Sequence, residues 1–149
     1  MTSGGFRRFY PMARQMIAYC GIDCAKCPAY RFPRLGEKLH MKGLFQAMLK
    51  SGMKRARKQR QPKLAEGQKA EDLYEDLSRD IICDGCATID ARCLKGCLQC
   101  PVRCCAMEMG VAHCGRCPKF PCEQLETAWK GSVFKGQRER LEALHAKAE

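Results

Sequence analysis

Apolar residues recur along this chain in short, interrupted runs rather than in long stripes. The first run, Ile17-Ala18-Tyr19, predicts a brief strand, with Gly21 and Pro28 marking turns on either side of a cysteine loop. After Pro33 the pattern becomes helical, and Leu39, Leu44, Phe45, Met48, Leu49 and Met53 form an uneven apolar face within residues 31–61. Pro62 and Gly67 break that helix. Residues 69–80 then predict a second one, because Leu73, Leu77 and Ile81 are spaced i, i+4, i+8. The pair reads as a helical hairpin inserted over residues 31–80. Residues 81–122 are turn-rich and supply few core side chains. Beyond Pro121, residues 122–130 predict a helix with Leu125 and Trp129 one turn apart. Gly131 interrupts it, and Ser132 is placed to cap a last helix running to Ala148, with Phe134, Leu141 and Leu144 inside and alternating Glu and Lys/Arg outside. Residues 1–15 show no periodicity and read as a flexible extension. Residues 16–130 read as the folded domain and residues 131–149 as a C-terminal helix.

Composition changes this picture in one respect. The 149 residues amount to about one domain, and 46% are apolar, but 13 of them are Cys. Large aliphatic and aromatic side chains are therefore scarce, and a core this thin calls for metal or disulfide staples. Arg7, Arg8 and Arg14 have no apolar run behind them of signal-peptide length, so a reducing cytoplasmic location is expected, where clustered thiols favour metal over disulfide. No apolar run reaches membrane-spanning length, and no membrane partner is expected.

The formal net charge of +11 suggests an anionic partner. Its densest part is residues 50–63, with Lys50, Lys54, Arg55, Arg57, Lys58, Arg60 and Lys63 and no acid between Glu37 and Glu66. That stretch reads first as a solvated helix face and second as a patch for nucleic acid or an acidic protein. A four-thiolate zinc carries a net charge of −2, so three such sites would lower the total to about +5.

The chemistry lies in the cysteines. Ten fall between Cys83 and Cys122, and three more form a satellite at Cys20, Cys24 and Cys27. Four C-x2-C pairs stand out: Cys24/Cys27, Cys83/Cys86, Cys97/Cys100 and Cys114/Cys117. Two intervening residues let a tight loop aim both sulfurs at one ion, and two such loops commonly build a tetrahedral zinc site. Of adjacent Cys104 and Cys105, one is expected to ligate and the other to pack. Cys20-Cys24-Cys27 and Cys93-Cys97-Cys100 also share the C-x3-C-x2-C spacing of radical-SAM enzymes, but nothing here offers the large barrel those enzymes need. Cys-Pro at Cys27-Pro28, Cys100-Pro101 and Cys117-Pro118 is as found near iron–sulfur ligands, although the bacterial ferredoxin run is absent. His113, beside Cys114, is an occasional ligand at most. No hydrolytic triad, phosphate loop or carboxylate pair is visible.

Tyr19-Cys20-Gly21-Ile22-Asp23-Cys24 through Cys27-Pro28-Ala29-Tyr30 resembles the opening of the cysteine-rich prokaryotic domain-of-unknown-function family 3795. Later segments resemble it in order: Cys83-Asp84-Gly85-Cys86, Cys97 and Cys100 with Cys104-Cys105-Ala106, Cys114-Gly115-Arg116-Cys117, and Phe120-Pro121-Cys122. The resemblance implies metal ligation by Cys20, Cys24, Cys27, Cys83, Cys86, Cys97, Cys100, Cys104, Cys114, Cys117 and Cys122, with Cys93 and Cys105 as extras. It lends no activity. The expected fold is a small, irregular, metal-stapled, mainly α domain with cysteine-knuckle metal sites, the inserted hairpin and a helical C-terminal tail. The expected function is a zinc-binding interaction module holding two or three ions, non-enzymatic, with a protein partner. The alternative is an iron–sulfur protein acting as an electron-transfer or accessory subunit of a redox enzyme.

Overall fold

In a computed structural model of the chain, residues 16–59, 66, 67, 69–87 and 92–148 are described. The expectations placed on residues 1–15 and on Arg60, Pro62 and Lys63 lie outside them. Helix α1 (Pro28–Lys38) starts earlier than Pro33, because Pro28 takes the first helical position behind Cys27 as N-cap. There a missing N–H costs nothing and the fixed φ suits the helix. Pro33 sits inside α1.

The expected single helix over residues 31–61 is broken at Leu39-His40-Met41. His40 adopts φ 55°, its N–H bonds the Glu37 carbonyl at 3.2 Å and that of Met41 bonds the Gly36 carbonyl at 2.8 Å. This is a left-handed helix stop of the kind usually built on glycine. The chain then reverses into α2 (Lys42–Gln59), which packs back on α1. A Cβ at Gly36 would lie 3.1 Å from the Lys42 Cα, so glycine is what lets the two helices approach. The helical hairpin is therefore α1 with α2.

The second expected helix shrinks to one turn, α3 (Ala70–Leu73). Leu77 and Ile81 instead lie on an irregular segment that packs with Ala29, Leu49 and Cys83. That segment is held by a side chain in place of a β ladder. Buried Gln46 on α2 donates from Nε2 to the Ile81 carbonyl at 2.9 Å and accepts at Oε1 from the Ile81 N–H, also at 2.9 Å.

The remaining helices are α4 (Lys95–Leu98), α5 (Pro101–Glu108), α6 (Glu123–Lys130) and α7 (Gln137–Ala146). α5 repeats the Cys-Pro device of α1, with Cys100 as N-cap and Pro101 at the first position. Val102 and Ala106 on α5, Leu125 on α6 and Leu141 on α7 close a second apolar cluster around Tyr19. The strand expected at Ile17-Ala18-Tyr19 is reduced to an isolated bridge between Ile17 and Asp23, and there is no strand among the described residues. The segment turns too soon to pair: Gly21, at φ 90°, sends the chain back within four residues. The fold is mainly helical and small, and none of its described helices is long and apolar enough to cross a membrane. Among the described residues the largest fully buried side chains are Ile81, Leu125 and Leu141.

Candidate metal centre

Asp84 organises the loop that brings the first sulfurs together. Its N–H bonds the Arg92 carbonyl at 2.7 Å, and its carboxylate takes Arg92 Nε at 3.0 Å and Arg34 Nη2 at 2.9 Å. Arg34 also donates from Nη1 to the Cys83 carbonyl at 3.0 Å and covers the Tyr30 ring at 3.6 Å. The loop is thus pinned to α1, with Cys83 and Cys86 at one end and Cys93 at the other. One turn of α4 then delivers Cys97.

The Sγ atoms of Cys86, Cys93 and Cys97 all lie within 4.8 Å of one another. Cys24 and Cys83 join this group. Cys86 interacts with Cys24, Cys93 and Cys97, and Cys83 with Cys93. The protons are unequally shared. Cys24 is held down to about 7, first by Cys86, and Cys97 to about 5, by Cys86 and then Cys93. Cys93 is lowered by Cys83 and Cys86. Cys86 and Cys83 are driven far up, first by their thiol neighbours, then by burial, with repulsion from a neighbouring thiolate adding to it. Without a cation, sulfurs this close need protons between them. A metal ion would displace those protons and take the same sulfurs as thiolates. Cys27, half-buried at the N-cap of α1, is raised by burial, while the Ala29 and Tyr30 amides facing its sulfur act the other way.

A cavity of about 470 Å³ adjoins this group, with Cys20, Cys24, Cys27, Cys83, Cys86, Cys97 and Cys100 on its wall. Arg57 and Tyr74 also line it, and the Arg57 guanidinium, which hydrogen-bonds the Glu75 carbonyl, lies over the Tyr74 ring at 4.7 Å.

The other cysteines fall on the Tyr19 side of the molecule. Trp129 Nε1 donates to the Cys20 carbonyl at 2.9 Å, Arg140 Nη1 donates to the Gly21 carbonyl at 2.7 Å, and Gln137 Nε2 approaches Cys20 Sγ at 3.6 Å. Cys20 is raised by burial, with Cys100 adding to it. Cys114 is pushed up to about 12 by burial and then by Cys20, Cys122, Cys117 and Cys105. None of the thirteen cysteines forms a disulfide. His113 Nδ1 is buried with no hydrogen-bond partner among the described residues.

The C-x2-C pairs thus do not all act as pairs. Cys97 belongs with Cys86 and Cys93, while Cys100, three residues on, caps α5 and faces Cys20. Cys93, an extra to the resemblance, is one of the three closest sulfurs. Its signal in the sequence was the C-x3-C-x2-C run Cys93-Cys97-Cys100, and it lies just before α4, whose N-cap is Leu94. Cys104 is exposed, and its Sγ reaches only the Leu98 carbonyl at 3.8 Å, whereas its neighbour Cys105 is half-buried.

Fold and thiol groups together define a small helical, cysteine-rich protein with a sulfur cluster able to hold a metal ion. A family model described as "Protein of unknown function (DUF3795)" matches residues 16–127, and the chain belongs to that family. No curated protein and no solved structure matches it.

Proposed function

We propose that the chain is a zinc-binding module, with one ion held by Cys86, Cys93, Cys97 and a fourth thiolate from Cys24 or Cys83. The observation behind this reading is the mutual approach of the three sulfurs within 4.8 Å. Four thiolates at ~2.3 Å from one zinc sit about 3.8 Å apart along the tetrahedron edges. Thiolates on a cubane cluster bind separate irons and stand farther apart than thiolates sharing one ion. In this reading the ion is structural: it ties α4, the Cys83–Cys93 loop and the Cys24 turn around an otherwise thin core.

Iron–sulfur chemistry is the second reading, favoured by the 470 Å³ cavity and its seven cysteines, which is more space than one ion requires. Metal analysis and visible absorption on protein purified without oxygen separate the two. Zinc and no colour support the first; iron with matching inorganic sulfide and a reducible brown chromophore replaces it with the second.

An anionic partner belongs to the same proposal, supported by Lys54, Arg55 and Lys58, all exposed on α2. Binding to an acidic protein or to nucleic acid should weaken as salt rises and on charge reversal at those three positions. Salt-independent association would remove it.

A further inference from the structure

Away from the Cys86–Cys93–Cys97 group, α5, the Cys114–Arg116 turn and the start of α6 enclose a cavity of about 20 Å³. Four of its lining residues are Cys105, Cys114, Cys117 and Cys122, and Val111 and Leu125 are among the others. We propose that these four cysteines form a second metal site, taking one four-coordinate divalent ion of the zinc type. The proposal shares the metal-protein reading above but none of its ligands.

The size of the cavity is the first argument. It is about that of a single water, which requires roughly 10–15 Å³. Its chemistry is the second. A buried water needs 2–4 good polar partners, and sulfur is a poor one. Four cysteines line the space and offer the donor type of a closed structural zinc site; no three of their sulfurs lie within 4.8 Å of one another, so binding an ion draws them inward. Delivery of the four is the third. Cys114 and Cys117 sit on one knuckle, closed by the Cys117 N–H on the Cys114 carbonyl at 3.0 Å. Within it, a Cβ at Gly115 would come 2.8 Å from the Leu141 carbonyl, so the knuckle is pressed against α7. Cys122 is the N-cap of α6. Cys105 comes from α5, one position before buried Ala106, while Cys104 points to solvent. Adjacent residues on a helix diverge by about 100°, so only one of the two can face the cavity, and Cys105 lines it. Exposed Lys119 also lines the cavity and offers a counter-charge to the net −2 of a four-thiolate ion.

The test is metal stoichiometry on the full chain by elemental analysis, comparing Cys105→Ser, Cys117→Ser, Cys104→Ser, Cys20→Ser and Cys93→Ser. Cys105→Ser and Cys117→Ser should each lose one ion per chain, while Cys104→Ser and Cys20→Ser lose none. Cys93→Ser should lose a different ion, so Cys93→Ser with Cys105→Ser loses two. Full stoichiometry in Cys105→Ser, or loss of an ion in Cys104→Ser or Cys20→Ser, overturns this ligand set. Loss in Cys105→Ser but none in Cys93→Ser would leave the second site standing and remove the first. Should the variants not fold, alkylation of the unaltered protein decides. Cys105, Cys114, Cys117 and Cys122 should resist reagent together, and become reactive together on chelation, while Cys104 reacts at once. Cys105 reacting as fast as Cys104 in the metal-loaded protein also overturns the proposal.

Discussion

Replacing Gln46 by Met removes an amide of similar length whose two hydrogen bonds hold the segment leading into the first thiol group. The Gln46 side chain meets both backbone polar groups of Ile81 at 2.9 Å, and Ile81 is only 1% exposed. The substitution keeps the packing volume and leaves one buried N–H and one buried carbonyl unpaired. Each costs about 1–3 kcal/mol, less whatever local relaxation recovers. The expected loss is therefore about 2–4 kcal/mol of unfolding free energy. Ile81 stands two residues before Cys83, so disorder there also separates the Cys83–Cys93 loop from α1. If metal binding requires that segment in place, affinity at the first site should fall by the same free energy, about 30-fold to several hundred-fold. Urea unfolding followed by circular dichroism measures the first quantity, and competition with a chromophoric chelator measures the second. A variant within about 0.5 kcal/mol of the unaltered protein, with unchanged metal affinity, would refute the claim that this side chain substitutes for a β ladder.

Four further outcomes follow from the same geometry. Gly21→Ala should destabilise by several kcal/mol, since the residue sits at φ 90° and its Cβ would meet the Gln137 carbonyl and lie 2.9 Å from Leu141 Cγ; a thermal midpoint equal to that of the unaltered chain would contradict this. His40→Gly should stabilise by up to about 1 kcal/mol, because the left-handed conformation at φ 55° costs a side chain and not a glycine; a loss of stability in urea would show that the His40 side chain matters more. Chelator should unfold the domain, since a structural zinc contributes on the order of 10–16 kcal/mol against a usual net stability of ~5–15 kcal/mol; helical signal unchanged after verified metal removal would rule out the stapled core. Asp84, held below the ordinary carboxylate range by Arg92 and then Arg34, should support its loop fully above its ordinary pKa of 3.8 and lose that contribution as pH falls through the lowered value. Asp84→Asn should flatten that acid limb of a stability–pH profile, and an unchanged limb would assign it to other groups.

The parts of this structure legible in sequence are those fixed by neighbours in the chain. The α6 helix after Pro121, the breaks at Gly67 and Gly131 and the C-x2-C turns all depend on local chemistry. The turn at Leu39-His40-Met41 was not legible, because a histidine in the left-handed region stands where the usual signal would be glycine. Leu73, Leu77 and Ile81 keep helical spacing, yet the helix ends at Leu73, and the Ile81 backbone is bonded instead by Gln46 from across the hairpin. Which thiols share a site was legible least. Spacing tells which sulfurs turn toward one point locally, but Cys97 lies in α4 while Cys100 is the N-cap of α5, and only Cys97 comes within 4.8 Å of Cys86 and Cys93.

That separation has a consequence for how the molecule holds together. One apolar cluster, around Ala29, Leu49 and Ile81, carries Cys27, Cys83 and Cys93; the other, around Tyr19, Leu125 and Leu141, carries Cys20, Cys100, Cys114 and Cys122. Each thin core therefore has its own group of thiols packed against it. The links between them are short and themselves bear cysteines: Cys20 to Cys24 passes through the Gly21 turn, and Cys97 to Cys100 through the end of α4. A spacer of two or three residues leaves little slack, so ordering the sulfurs at one group limits the positions open to those at the other. The tight cysteine spacing, unnecessary for two independent staples, makes physical sense as the connection between two small cores.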